Sequence, residues 1–321
     1  MKKSFICATA LAVLSLMVGC SEKEGMFSPE KKIGQVFQSN EVVMESFNGT
    51  AWDTVGNEVT PKTLKESWTW DGNKLKKIDL FYDNGGKKSS LEFTYEKRRL
   101  SRVEEEDVFS TFTYDGKNLA KAEIYYKEIN PLVPYVVYTF TYSGDKLSKI
   151  EMVSRGDMKS SAPVAHSNLE KMIFRLLLSD SKPILKALSQ SLGNDGRKDG
   201  NRQVAELEWN GNNVSKITTK DDEGVVTVTY TYDNKRNPYQ HFVATICGVG
   251  DGEGMAFANE NNITKAVYTL EEGVADETEF VENYSYIYSG DWPESCTSCV
   301  VYDDGSDSRW TERSTQYYEY K

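Results

Sequence analysis

Phe112-Thr113-Tyr114-Asp115-Gly116-Lys117-Asn118-Leu119-Ala120-Lys121-Ala122 decides how this chain is built. Its first three residues alternate aromatic and polar, with the period of two of a half-buried strand. Asp115-Gly116 supplies the positive φ that a tight reversal needs. Ala122, Ile124 and Tyr126 then alternate again, so the segment reads as strand, turn, strand. The same frame recurs in Trp68-Thr69-Trp70-Asp71-Gly72 to Ile78 and in Phe93-Thr94-Tyr95-Glu96 to Val103. It recurs again in Phe140-Thr141-Tyr142-Ser143-Gly144 to Ile150 and in Leu207-Glu208-Trp209-Asn210-Gly211 to Ile217. Counted from the polar turn residue, an aliphatic stands four positions on, a basic residue six, and a small or aliphatic residue seven.

Such self-similarity marks a repeat architecture. Tyr230-Thr231-Tyr232-Asp233, running to Pro238, and Tyr286-Ile287-Tyr288-Ser289-Gly290, running to Pro293, are degenerate copies whose prolines point to looser turns or edge positions. Consecutive hairpins predict a mainly β fold: an antiparallel up-and-down meander of roughly a dozen strands, curled into a barrel-like shell. Ser167 to Leu192 breaks the pattern. Leu169, Met172, Ile173, Leu176 and Leu177, then Ile184, Leu185, Leu188 and Leu192, carry helical periodicity, with Pro183 between them. A helical hairpin near residues 166–192 is therefore expected within an insertion spanning 163–203, with the aromatic concave face of the sheet as its berth.

The chain opens MKKSFICATALAVLSLMVGC. Lys2 and Lys3 precede an apolar run from Phe5 to Val18 that is too short to span a bilayer as a mature helix. Met17-Val18-Gly19-Cys20 resembles a lipobox, which implies that residues 1–19 are a removable lipoprotein signal and that Cys20 carries the lipid; an ordinary signal peptide with an incidental cysteine is the other reading. Residues 20–35 begin with the polar run Ser21-Glu22-Lys23-Glu24-Gly25 and are expected to be a flexible tether, leaving 36–321 as one repeat-built domain. The acidic stretch behind Cys20 resembles the surface-export signal of Bacteroides-type lipoproteins.

The formal charge is −11, and removal of residues 1–19 takes away two lysines and no acid, giving −13. That argues against nucleic acid, whose phosphates attract a basic face, and against an electrostatic hold on anionic lipid. Besides Cys20, the mature chain has Cys247, Cys296 and Cys299, an odd number from which one disulfide could form in an oxidising compartment. Cys296-x-x-Cys299 lacks the strand–loop–helix setting of a redox motif. Zinc would need further ligands, and His166 and His241 are the chain's two histidines.

The Tyr-Asp-Gly-x-x-Leu turns resemble the YD repeats of Rhs-type shell proteins, although the usual Arg before the Tyr and the second Gly are missing. The chain is more similar to a family of Bacteroides-type lipoproteins of unknown function described as having a porin-like fold. That resemblance rests on the lipobox, the Tyr-Asp-Gly-Lys-Asn-Leu type turns, Asn262-Ile263-Thr264-Lys265 and Tyr286-Ile287-Tyr288-Ser289-Gly290-Asp291-Trp292-Pro293, and it covers most of residues 36–321. It implies a fold and no activity, so no catalytic residue carries over. A membrane porin is not expected, because Lys76, Lys77, Asp79, Glu104, Glu105 and Glu106 crowd segments that would have to face lipid.

The recurring basic position (Lys77, Arg102, Lys121, Lys149, Lys216) reads either as a ladder for an anionic ligand or, more simply, as a solvated outer face paired with neighbouring acids. Asp303, Asp304 and Asp307, in Asp303-Asp304-Gly305-Ser306-Asp307, are a calcium candidate, but the stretch lacks the EF-hand spacing and reads first as a hairpin turn. The glycine-rich 248–254 stretch has no following helix to cradle a phosphate. Trp292, in a turn before Pro293, is the tryptophan expected to be most exposed and the one named ligand-binding candidate. No Gly-x-Ser-x-Gly, phosphate loop or His-Glu-x-x-His occurs. No catalytic residue and no cofactor is therefore assigned. The expected function is a lipid-anchored outer-membrane lipoprotein, exposed at the surface or facing the periplasm. It would act as a non-enzymatic module for a glycan, peptide or protein partner. The alternatives are a carboxylate-based glycan hydrolase and a structural subunit of an envelope assembly.

Overall fold

The structure, a computed structural model, describes residues 27, 29–128, 132–154, 202–220, 224–243, 256–272, 278–303 and 307–321. These residues hold seventeen strands, all paired antiparallel. The first five are β1 (Ile33–Phe47), β2 (Trp52–Val59), β3 (Thr63–Asp71), β4 (Lys74–Phe81) and β5 (Lys87–Glu96). Then come β6 (Arg99–Glu104), β7 (Val108–Asp115), β8 (Asn118–Tyr126), β9 (Val136–Ser143), β10 (Lys146–Ser154) and β11 (Arg202–Asn210). The last six are β12 (Asn213–Lys220), β13 (Gly224–Arg236), β14 (Asn261–Glu272), β15 (Thr278–Ser289), β16 (Trp292–Asp303) and β17 (Ser308–Tyr320).

Each strand from β3 to β17 pairs with the next, and β1 closes the ring by pairing with β17 on one side and with β3 on the other. The result is a closed barrel of sixteen strands, with β2 outside it and paired to β1 alone. The strand count exceeds the expected dozen because β1, β2 and β17 carry no copy of the turn frame. The expected helical hairpin near 166–192 lies outside the described residues, as does most of the 163–203 insertion. Its last two residues, Arg202 and Gln203, are corrected to barrel residues, paired with Val153 and Met152. The domain also starts earlier than residue 36, since β1 begins at Ile33.

The repeat frame hides a bulge that its spacing encodes. Leu75 and Ile78 are both fully buried although they lie three residues apart, an offset that simple alternation sends to opposite faces. The register explains it. Trp70 faces Leu75 while Thr69 faces Lys77, so Lys76 is an extra residue in its strand. The same slip occurs at Ser101, Ala120, Ser148, Ser215, Thr264 and Glu294. One bulge per hairpin adds local twist, which helps so wide a sheet curl shut.

Aromatics near the strand ends, in several repeats the one just before the turn, latch one hairpin to its predecessor. Trp70 Nε1 donates to the Ile33 carbonyl at 2.7 Å, and Trp209 Nε1 to the Leu147 carbonyl at 2.6 Å. Hydroxyls donate likewise from Tyr232 to Val214, Tyr286 to Ile263 and Tyr320 to Pro293, at 2.5, 2.9 and 2.8 Å. Tyr95 and Tyr142 are hydrogen-bonded to the backbone of Leu75 and Leu119. The repeat aromatic is thus a hook onto the aliphatic position of the neighbouring repeat, as well as core.

Glycine opens most of the tight turns, with φ of +54° at Gly72 and Gly116. The second repeat lacks it, and Lys97 and Arg98 are forced to φ of 46° and 69°. Both central residues of this turn sit where Asn-Gly is preferred. We expect the double substitution Lys97→Asn, Arg98→Gly to raise unfolding stability by about 1 kcal/mol, read from urea denaturation midpoints. A drop would refute the strain assigned to this turn.

Candidate functional site

The two ends of the barrel differ. The tight turns, the start of β1 and Lys321 all lie at one end, where the Lys321 amide donates to the Lys32 carbonyl at 2.8 Å. That end is sealed. The connection after β13 folds back so that Tyr239, Phe242, Ala256 and Phe257 are buried against the inner wall. Phe27 stacks on Phe242 with ring centroids 4.3 Å apart and also meets Trp68 and Trp70. Polar ties fix the plug. Asn237 Nδ2 donates to the Ala256 and Asn259 carbonyls, and Asn259 Oδ1 accepts from the Val214 amide at 2.9 Å. This plug fills one berth expected for helices, and it was missed because its aromatics follow no period.

The outer wall is charged. Lys77 pairs with Asp79 at 3.0 Å, Arg102 with Glu104 at 2.9 Å, Lys121 with Glu123 at 2.6 Å and Lys149 with Glu151 at 3.7 Å. Each partner is two residues along the same strand, hence on the same face. Lys216, followed by Thr218 at that position, reaches Glu208 across the hairpin at 3.4 Å. The basic row is therefore matched acid by acid and gathers no anion site. Among the described residues, no helix is long and apolar enough to cross a membrane.

The inner wall is mostly apolar from β4 to β12, where Ile78, Leu91, Val103, Ala122, Tyr138, Ile150 and Ile217 form one buried core. It changes character on β15, β16, β17 and β1. Register places Tyr302, Trp310 and Met44 in one row, Glu282, Val300, Glu312 and Val42 in the next, then Tyr284, Ser298, Ser314 and Asn40, then Tyr286, Cys296, Gln316 and Gln38. Val300 and Tyr302 pack with Val226, Val228, Ala266 and Tyr268, so these rows face inward. Gln38 Nε2 donates to Ser314 Oγ at 2.7 Å and to Asn40 Oδ1 at 3.1 Å; the Tyr318 hydroxyl donates to Gln316 Oε1 at 2.8 Å. Most of the strip's polar residues are only half-buried, and Trp310 remains 37% exposed. Burial pushes the Tyr286 and Tyr318 hydroxyls well above their ordinary value, so both stay protonated and able to donate.

Trp292 is not the exposed tryptophan. It is 9% exposed, covered edge-on by Tyr320 and faced by the Arg236 guanidinium. Trp310 and Trp52 are the tryptophans at the other end; Trp52 packs outside, under Arg309 and beside Phe47. Asp303 and Asp307 are exposed, and Asp304 lies outside the described residues. Among the described residues, no three His, Cys, Asp or Glu side chains group as a metal site. Cys296 and Cys299 lie on opposite faces of β16 and form no disulfide with each other; Cys247 lies outside the described residues, as does Cys20. The inner strip escaped sequence reading. Its signal is Gln38-x-Asn40 in β1 and Glu312-x-Ser314-x-Gln316 in β17, polar residues at the period-two positions that other strands fill with aliphatics.

Compared with models of protein families, the chain matches none, and no curated protein matches it.

The outer pairs have a pH signature. Burial alone would raise the Asp79 carboxyl, but hydrogen bonds from Lys87, Ser90 and Lys77 outweigh it and hold it well below its ordinary 3.8. Lys127 and then Arg102 lower Glu104 from 4.5 by hydrogen bonding, and Arg202 does the same for Glu151. Lowered carboxyls contribute stability that is complete above their ordinary values and is lost as pH falls through the folded ones. We expect the melting temperature to fall steadily between about pH 4 and about pH 2. A melting temperature that holds level across that window would show that the pairs contribute nothing.

Proposed function

We propose that this protein is an outer-membrane lipoprotein, anchored through Cys20, that presents its barrel as a non-enzymatic module for a glycan or protein partner. The supporting observation is the opposition of the two ends. The chain that follows Cys20 enters at the sealed end, where Phe27 is docked and Arg236 pairs with Glu30 at 2.6 Å. The row of buried Tyr302 with the exposed Trp310 and Met44 lies at the other end. A charge-paired outer wall fits a barrel held by lipid rather than sitting in it. The lipobox and the turn repeats resemble those of Bacteroides-type lipoproteins and support the same reading.

Mass spectrometry of the mature chain should find Cys20 acylated, and Cys20→Ala should move the protein from the membrane to the soluble fraction. An uncut N-terminus with an unmodified Cys20 would end the anchor. Crosslinking on intact cells followed by pulldown, together with a glycan screen by thermal shift, tests the module; no partner and no glycan in either would refute it.

A second reading, a carboxylate-based glycan hydrolase, draws support from Glu282 and Glu312. They flank Val300 in one inner row, two strand spacings or about 10 Å apart between backbones, and paired carboxylates suffice for that chemistry. It expects new reducing ends from a glycan panel and their loss in Glu312→Gln. Intact glycans after long incubation would exclude it.

A further inference from the structure

We propose that the inner strip of β15, β16, β17 and β1 is a binding site for a neutral oligosaccharide, with Trp310 as its stacking platform; this rests on the binding-module reading above. Tyr302 lies behind Trp310 with centroids 5.0 Å apart and planes 18° from parallel, so the indole lies flat against the phenol ring. Trp310 is 37% exposed while Tyr302 is buried at 8%, which leaves the indole as the accessible member of a pre-organised pair. A rigid aromatic face is the surface that the C–H face of a pyranose packs on.

The rest of the strip supplies the polar half of sugar recognition. Gln38, Ser314 and Gln316 can each donate and accept, as sugar hydroxyls do, and Glu312 accepts. From Trp310 to Gln316 the strip runs about 20 Å along β17, the length of several rings in a row. Charge selects among glycans. The carboxyl side chains in these rows are those of Glu282 and Glu312, with no Lys or Arg beside them in the rows, which disfavours uronates, sialic acids and phosphorylated sugars. An extended peptide fits less well. It would bind by strand addition to an open sheet edge, and the inner face of a closed barrel offers none.

The test uses the mature chain and isothermal titration calorimetry with neutral hexasaccharides of glucan, mannan and xylan type, beside a uronate hexasaccharide. At least one neutral oligosaccharide should bind and the uronate should not. Trp310→Ala should weaken binding about tenfold or more, and Trp310→Phe should recover most of it. Gln38→Ala should weaken binding several-fold, while Trp52→Ala on the outer wall should leave it unchanged. Circular dichroism confirms that each variant is folded.

Binding that survives both Trp310→Ala and Gln38→Ala in folded protein would overturn the site and leave the module reading intact. Failure of every neutral oligosaccharide at about millimolar concentration would overturn the ligand class. If crosslinking then finds a protein partner, the module reading stands without sugar; if it finds none, both fall together.

Discussion

Closure of β1 against β17 is the constraint on which the rest of this molecule depends. A sheet this wide has two edges unless it meets itself, and open edges invite aggregation. Here Ile33 to Ser46 pairs along nearly all of β17. Outside the seam, Arg309 sits opposite Glu45 and Arg313 opposite Glu41, at 2.9 and 3.0 Å. Half-exposed ion pairs of this kind contribute little energy singly. Placed at the seam, they favour this register over a slip of one residue, which would face Arg309 with Met44 or Ser46.

Much of the wall was legible in the sequence. The aromatic–Thr–aromatic triplets, the Asp-Gly and Ser-Gly turns and the alternating return strands lie where the frame puts them, and Lys77, Arg102, Lys121 and Lys149 do face outward beside acids. The bulge was not read, although the offsets hold its trace: an aliphatic pair at four and seven cannot share a face without one. What was not legible depends on contacts between distant segments. Phe27 meeting Phe242 joins residues far apart in the chain. Trp292 looked exposed because its local sequence is a turn, and Tyr320, which comes later in the chain, covers it. The strip of β1 and β17 becomes a surface only when the first strand and the last lie side by side.

The wall reverses the polarity of a membrane barrel. Porins turn apolar residues outward and polar ones toward the lumen; here Thr94, Lys121 and Glu151 face outward and Leu91, Val103 and Ile124 inward. An apolar lumen must be filled or it would collapse, and the buried aromatics of the plug do that at one end. The strip containing Gln38, Ser314 and Gln316 gathers several polar side chains on the inner face. That places these polar groups on one quarter of the circumference, four strands of sixteen.

Phe27 also sets a leash. Cys20 lies seven positions before this docked ring, and a fully stretched chain advances no more than about 3.6 Å per residue. With an acyl group on Cys20, the sealed face could stand no farther than about 25 Å above the headgroups. The barrel would tilt and swivel over a small patch of membrane, with its Trp310 end held out toward whatever passes.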